Sequence, residues 1–289
     1  MINRLNQIKI HCWGGLGSQL NAWAIAEVIK QKYKHKSVEL VFHTGGVTKR
    51  ISELNFLSPK FRIKVIDDFG DNAESTSDSK GFSVFANRSL KYFLNKLGLV
   101  LNDETELILN RVKSWTLSLR GHYSYEALSE HVIQKMFLEI QKQKKYRIEP
   151  SIKSSKSLGI HYRLGDLVGF EDKSFINPEV LGIFCLKFIL KHNIKKVSVY
   201  SDSPKIAETS LSAYFDPSTT YLNKDIWQTL FELCNHRHFI GTNSKISIWI
   251  SLFRSVANFE ATACLPISMK EGLHKIYPKI VNSKNTLFY

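Results

Sequence analysis

Short apolar runs recur along the chain, and each is followed by a longer stretch with helical spacing. Ile8 to Trp13 alternates as a strand, and a glycine turn follows it. Leu20, Trp23, Ala24, Ala26 and Val28 then give Gln19 to Lys34 the apolar positions of a packed helix. Val38 to Phe42, Ile63 to Ile66 and Thr116 to Leu119 are further strand candidates with helices between them. Asp71 to Gly81 is polar and reads as a surface loop, Glu126 to Lys145 as a long amphipathic helix, and Ile148 to Lys156 as a polar, Pro-containing connection. The pattern then restarts. Strands are expected at Ser157 to Tyr162, Lys196 to Tyr200 and His238 to Ile240, and helices at Pro178 to Lys191, Asp225 to Cys234 and Ser244 to Arg254. Strands that alternate with helices imply mostly parallel sheets. The expectation is an α/β protein of two Rossmann-like domains, residues 1–150 and 151–289, whose sheets face a cleft; no internal sequence repeat is visible.

Composition narrows the class. With 289 residues and 43% hydrophobic content the chain can build real cores, and 15 Gly and 7 Pro are too few for a fibrous or low-complexity protein. Cys12, Cys185, Cys234 and Cys264 are scattered singly, three of them inside apolar runs, without zinc or redox spacing. Buried free thiols in a reducing compartment follow. The start has no apolar core of signal-peptide length, and no run approaches the roughly 20 residues needed to cross a bilayer, so the expected location is cytoplasmic. A net charge of +14 suits nucleic acid, an anionic membrane surface or a phosphorylated ligand, and does not choose among them. The lysine-rich stretch from Lys135 to Lys156 is read first as a solvated helix face.

In open parallel sheets, ligands bind at the carboxyl ends of the strands. Four stretches fall there. Gly14-Gly15-Leu16-Gly17-Ser18-Gln19 lets backbone amides approach a ligand ahead of a helix start, although a plain tight turn has the same sequence. It fits neither the dinucleotide fingerprint nor the Lys-Ser/Thr phosphate loop. Gly159 to Asp166 places His161 and Arg163 on one side of a strand end, where a guanidinium can grip a diphosphate; the plainer alternative is an Arg163 to Asp166 salt bridge closing a turn. In Val197 to Pro204, Asp202 reads first as a cap of the following helix, which does not exclude a ligand contact. In Ile240 to Trp249, Thr242, Asn243, Ser244 and Ser247 gather hydroxyls and an amide at a helix start, as an anion site or as an N-cap alone.

Taken together, in this order, the four stretches resemble the bacterial α-1,2-fucosyltransferase family (glycosyltransferase family 11) and, more distantly, the α-1,6- and protein O-fucosyltransferases. The likeness runs from Ile8 to about Arg254 and includes Arg120 to Tyr125. It implies a GT-B-like fold, GDP-L-fucose as donor, inversion at the anomeric carbon and no required metal or other cofactor. On this resemblance Arg163 binds the β-phosphate and helps GDP leave, and His161 lines the same pocket. Ser244 and Ser247 match hydroxyls near the diphosphate, with Asn243 beside them. Asp202 matches an acidic residue of the nucleoside region, and Gly15, Gly17 and Gln19 match the loop facing the reacting sugar. Four positions depart from the family: Leu164 replaces its second arginine, Ser18 its loop asparagine, Ser203 its second aspartate, and Ile246-Ser247-Ile248-Trp249 its Phe-Ser-Trp-Trp run. A different GDP-deoxy sugar, or another nucleotide, is therefore an open alternative.

Displacing a nucleoside diphosphate builds negative charge on the leaving phosphate, which Arg163, the Ser244 and Ser247 hydroxyls and helix-start amides are suited to meet. An inverting transfer also benefits from a base on the acceptor hydroxyl. His11, Asp67 and Asp68 lie in the expected acceptor half, but plainer readings are a satisfied strand histidine and two loop carboxylates. The acceptor implied is a glycan, or a lipid-linked glycan of bacterial surface polysaccharide such as the O-antigen of lipopolysaccharide. The basic surface suits contact with the inner face of an anionic membrane. Two rivals are a basic nucleic-acid-binding protein, for which no aromatic-basic surface or binding module is visible, and a sugar-binding protein that keeps the fold without turnover.

Overall fold

The computed structural model describes residues 6–45, 49–69, 92–102, 108–123, 126–142, 147–148, 156–164, 176–257 and 262–289. The expected loop from Asp71 to Gly81 lies outside them. The chain divides into two compact units, Met1–Leu128 and Ser129–Tyr289.

In the first unit five parallel strands, β1 (Gln7–Trp13), β2 (Ser37–His43), β3 (Arg62–Ile66), β4 (Val100–Asn102) and β5 (Ser118–Gly121), form a sheet of order β3-β2-β1-β5-β4. The helix after the glycine turn, α1 (Leu16–Lys32), is buried nearly all round, which its continuous small and apolar residues allow. Its one buried acid, Glu27, accepts a hydrogen bond from Trp23 Nε1 at 2.9 Å and pairs with Lys60, so the charge is not left unpartnered. A short helix, α2 (Ile108–Arg111), precedes β5. The fourth expected strand begins two residues late because Thr116 is spent on a turn: its hydroxyl donates to Gly98 O at 2.8 Å and accepts from Lys113 N.

The second unit opens with α3 (Glu130–Gln141), capped by Ser129, whose side chain accepts from Val132 N. Its apolar face of Val132, Ile133, Met136 and Ile140 is buried, and Phe137 meets Phe253 with ring centroids 6.2 Å apart. That packing joins α3 to the second unit, whereas the sequence expectation placed it in a domain ending at residue 150. Six parallel strands follow: β6 (Ser157–His161), β7 (Lys196–Tyr200), β8 (Thr220–Leu222), β9 (His238–Gly241), β10 (Ala263–Leu265) and β11 (Thr286–Phe288). Their order is β11-β10-β9-β6-β7-β8. The intervening helices are α4 (Pro178–His192), α5 (Pro204–Leu211), α6 (Ile226–Asn235) and α7 (Lys245–Val256), with α8 (Lys270–Ile276) and α9 (Pro278–Val281) near the end. Sequence signals set several ends. Asn177 caps α4 ahead of Pro178 at its first position, and Asn193 ends it in the left-handed conformation at φ 50°. Asp225 caps α6 and Ser244 caps α7.

Read from β6, the second sheet has the 3-2-1-4-5-6 order of a doubly wound nucleotide-binding fold, and the order reverses between β6 and β9. Chain connections leave these two neighbours in opposite directions, which opens a crevice at their carboxyl ends. In the first sheet the reversal lies between β1 and β5. The α/β class expected from the sequence is thus present in both units. All four cysteines are buried, and none forms a disulfide. No described helix is long and apolar enough to cross a membrane.

Candidate functional site

The reversal point of the second sheet is where the second and fourth sequence stretches meet. β6 is buried along its length and ends at His161. His161 Nδ1 lies 2.9 Å from Ser247 Oγ, and Ser247 is fully buried in the first turn of α7. Gly241 makes this approach feasible, because a Cβ there would meet Ser247 Cβ at 2.7 Å. Burial, then the nearby Arg163, lower the His161 pKa to about 4, so the ring is neutral near pH 7.

Arg163 follows on the same side. Its side chain is 27% exposed and its Nε stands 3.1 Å from Asp202 Oδ2, while Asp202 Oδ1 accepts from Leu164 N at 3.0 Å. The carboxylate therefore ties the end of β6 to the end of β7. Asp202 does not cap the following helix as expected: Ser203 is the cap residue of α5, without a side-chain bond. Asp166, the other suggested partner of Arg163, lies outside the described residues. Leu164 is 1% exposed within the second unit's core. A second arginine there would have to bury its charge among Leu181, Cys185 and their neighbours, which accounts for the apolar residue at this position.

Thr242, read from the sequence only as one of the hydroxyls near the helix start, joins the two strand ends. Its hydroxyl donates to His161 O at 2.9 Å and accepts from Arg163 N at 3.0 Å, and its own N–H also donates to His161 O. Asn243 and Ser244 follow, both partly exposed, with Ser244 Oγ accepting from Ile246 N at 3.3 Å. A guanidinium and the positive end of a twelve-residue helix thus converge on one strand edge, beside a neutral imidazole. Such an edge is suited to an anion. Ser247 stands behind this surface, holding His161.

The remaining predicted residues belong to the first unit. Gly14, at φ 103°, makes the turn after β1, and a Cβ there would meet Ser18 Oγ at 3.0 Å. Gly15 is the cap residue of α1, and Gly17 is buried in its first turn. Gln19 is buried and used internally: Nε2 donates to Ile51 O at 2.7 Å and Oε1 accepts from Glu53 N at 2.8 Å. The 51–53 segment is thereby fixed beside the glycine turn, and the Arg50 guanidinium lies 3.9 Å from where a Gly15 side chain would begin.

No protein-family model and no curated protein matches the sequence. Solved structures do show similarity. A heptosyltransferase from E. coli, WaaC with ADP, aligns at 11% identity and a TM-score of 0.46, over 98% of this chain and 92% of its own. POFUT1 in complex with GDP-fucose aligns at 11% identity and 0.46, over 91% and 98%. NodZ α-1,6-fucosyltransferase soaked with GDP-fucose aligns at 11% and 0.38, over 86% and 92%. At these scores and identities the likeness fixes neither ligand nor reaction.

Proposed function

We propose that the protein is an inverting glycosyltransferase that moves L-fucose, or a related deoxy sugar, from a GDP-sugar to a hydroxyl of a glycan acceptor. The observation that carries this reading is the meeting of Arg163, neutral His161 and the start of α7 at the reversal point of a 3-2-1-4-5-6 sheet. The ordered likeness of the four stretches to fucosyltransferase motifs supports the choice of donor. In this mechanism Arg163 and the α7 amides meet the charge that grows on the leaving diphosphate. His161 donates no proton at neutral pH; held by Ser247, it lines the donor pocket as a neutral ring. Asp202 orients Arg163, and metal independence is part of the proposal.

We further place the reaction in surface polysaccharide synthesis, at the inner face of an anionic membrane. The outer face of α4 supports such contact: Val180, Ile183, Leu186 and Leu190 are exposed in one stripe, interleaved with exposed Lys187 and Lys191. Binding to vesicles of anionic lipid at low salt, lost in Ile183→Ser/Leu190→Ser, is the expected result. Equal binding by parent and variant would remove α4 from the contact.

The decisive experiment is thermal stabilisation by a panel of nucleotides and nucleotide sugars in the presence of EDTA. Selective stabilisation by GDP, and more by one GDP-sugar, is expected. Stabilisation by UDP or CMP compounds alone would keep an anion site but overturn the donor, and tight RNA binding without any nucleotide response would overturn the transferase.

A further inference from the structure

The carboxyl half of the first sheet carries two cations without a carboxylate partner among the described residues. Parallel pairing sets Arg120 of β5 beside His11 of β1, His11 beside Val41 of β2, and Val41 beside Lys64 of β3, so the four share one face. The acids nearby are already engaged. Glu39 stands 3.8 Å from Lys9, Asp67 meets Lys49 at 3.1 Å, and Asp68 meets His43 at 2.7 Å. Arg120 is partly exposed, and its Nε has no hydrogen-bond partner; among the described residues neither its guanidinium nor the exposed Lys64 ammonium meets a carboxylate.

His11, beside Arg120, offers the opposite kind of group. Its Nδ1 lies 2.9 Å from His43 Nε2, and His43 Nδ1 lies 2.7 Å from Asp68 Oδ2. A carboxylate only accepts, so His43 Nδ1 carries the hydrogen; His43 Nε2 then accepts, and His11 Nδ1 donates to it. The remaining lone pair is on His11 Nε2, which makes no hydrogen bond among the described residues. Burial first, then Arg120, His43, Lys9 and Lys64, lower the His11 pKa to about 4, so near pH 7 the ring is neutral and this nitrogen accepts. Both groups are held in place. Trp13 stacks on His43 with centroids 4.1 Å apart at 14°, the Arg120 guanidinium stands 5.8 Å from the Trp13 ring centre, and Tyr123 OH donates to His11 O at 2.6 Å.

We propose that this face of the first unit is a binding site for a saccharide that carries a carboxylate, of the uronic acid class, with Arg120 taking the acid group and His11 Nε2 accepting from a ring hydroxyl beside it. The geometry matches the chemistry. Neighbouring strands root the two side chains about 4.8 Å apart, and a uronic ring presents its carboxylate and a hydroxyl on adjacent carbons. A guanidinium meets a carboxylate through two parallel hydrogen bonds, and the imidazole lone pair takes one from the hydroxyl. A simple anion would answer Arg120 but set negative charge against the His11 lone pair. A neutral sugar would answer His11 and leave the guanidinium without a partner. Lys64, across His11 from Arg120, adds a second positive charge to the same row. The site lies within the first unit and rests neither on Arg163 nor on the transferase reading.

The test titrates trisaccharides of galacturonate, glucuronate and mannuronate, each beside its carboxyl-reduced neutral form, into the whole protein, with calorimetry for affinity and nitrogen NMR for the His11 ring. At least one uronate is expected to bind about tenfold or more tightly than its neutral form and to shift the His11 Nε2 signal. Arg120→Gln is expected to remove that preference, Lys64→Gln to weaken it by less, and both to leave any stabilisation by GDP unchanged. Binding by no uronate, or equal binding of charged and neutral forms, would overturn the inference, and this comparison on the parent protein holds whether or not a variant folds. So would a folded Arg120→Gln protein that binds the uronate as the parent does, or acetate that shifts His11 Nε2 as far as the uronate at equal concentration. A parent protein that binds the uronate but is stabilised by no nucleotide would overturn the transferase reading and leave this site standing.

Discussion

The carboxyl edges of the two sheets are furnished differently. At the second, a partly exposed guanidinium and a helix start project positive charge, and the one imidazole there is buried behind them, locked by a serine. At the first, two imidazoles and a carboxylate are strung in sequence, and the cation among them, Arg120, sits over an indole. His161 meets a single hydroxyl, that of Ser247. His11, backed by His43 and Asp68, is one end of a hydrogen-bonded chain of three titratable groups. The difference teaches that burial alone does not distinguish roles, since His11 and His161 both have pKa values lowered to about 4 and differ in what stands behind them.

The largest expected effect breaks the second edge. Arg163→Ala should reduce sugar transfer about 10²–10³-fold while the protein stays folded, because the side chain is partly exposed and Asp202 keeps its bond from Leu164 N. Steady-state turnover beside a melting curve checks this; a folded variant with near-parent turnover would remove the diphosphate role. Arg163→Lys should fall between, since lysine keeps the charge but not the planar fork.

A second arginine gives the contrast. Arg254 is 2% exposed, and its guanidinium donates to the carbonyls of Leu233, Cys234, His236 and Arg237, closing the end of α6. Arg254→Met leaves those carbonyls without their donor and should cost about 3 kcal/mol of stability, measured by urea unfolding. GDP affinity of the folded fraction should not change. A loss of GDP affinity at unchanged stability would reverse the two assignments.

How much of this was legible in advance follows from distance along the chain. Strand and helix periods marked nearly every element of five or more residues, and the donor edge comes from three short segments, each continuous in sequence. Even there, short-range reading misjudged partners: Asp202 binds across to Arg163 and Leu164 N rather than capping α5, and Leu164 lies in the core. β4, β8, β10 and β11, three residues each, are too short for alternation to register. The contact chain of His11, His43 and Asp68 was invisible for a different reason. His11 and His43 are 32 positions apart, and His43 and Asp68 are 25 apart; only the register of β1 against β2 brings the rings together. Sequence named His11 and Asp68 as candidates but gave no sign of His43 between them.

Acid separates the two units by a smaller amount. In the second, burial lowers His161, His236 and His238 to about 4, with Arg163 or Arg254 among the further causes. In the first, burial lowers His11 to about 4. The unfolded chain takes up these protons near pH 6.5 and the folded chain only near 4, so stability is full above 6.5 and declines as pH falls between them. A histidine as buried as His161 contributes at most about 1.4 kcal/mol per pH unit across that window. Hydrogen exchange followed from pH 7 to pH 5 should show protection falling faster in the second unit; equal loss in both would contradict the histidine environments described.

The smallest effect separates the two serines at the start of α7. Ser244→Ala removes a helix cap and Ser247→Ala removes the hydrogen bond to His161; each should cost about 1 kcal/mol. Their consequences for ligand binding should differ. Ser244 is partly exposed at the helix start, so its loss should weaken GDP binding directly, whereas Ser247 is fully buried and should act only by freeing the His161 ring. Titrating GDP against both variants while following His161 by NMR distinguishes the routes. If Ser247→Ala weakened GDP binding with the His161 signal unmoved, the hydroxyl would be a diphosphate contact after all, as the fucosyltransferase resemblance implies, and the surface of the second edge would lie deeper than the position of Ser247 now indicates.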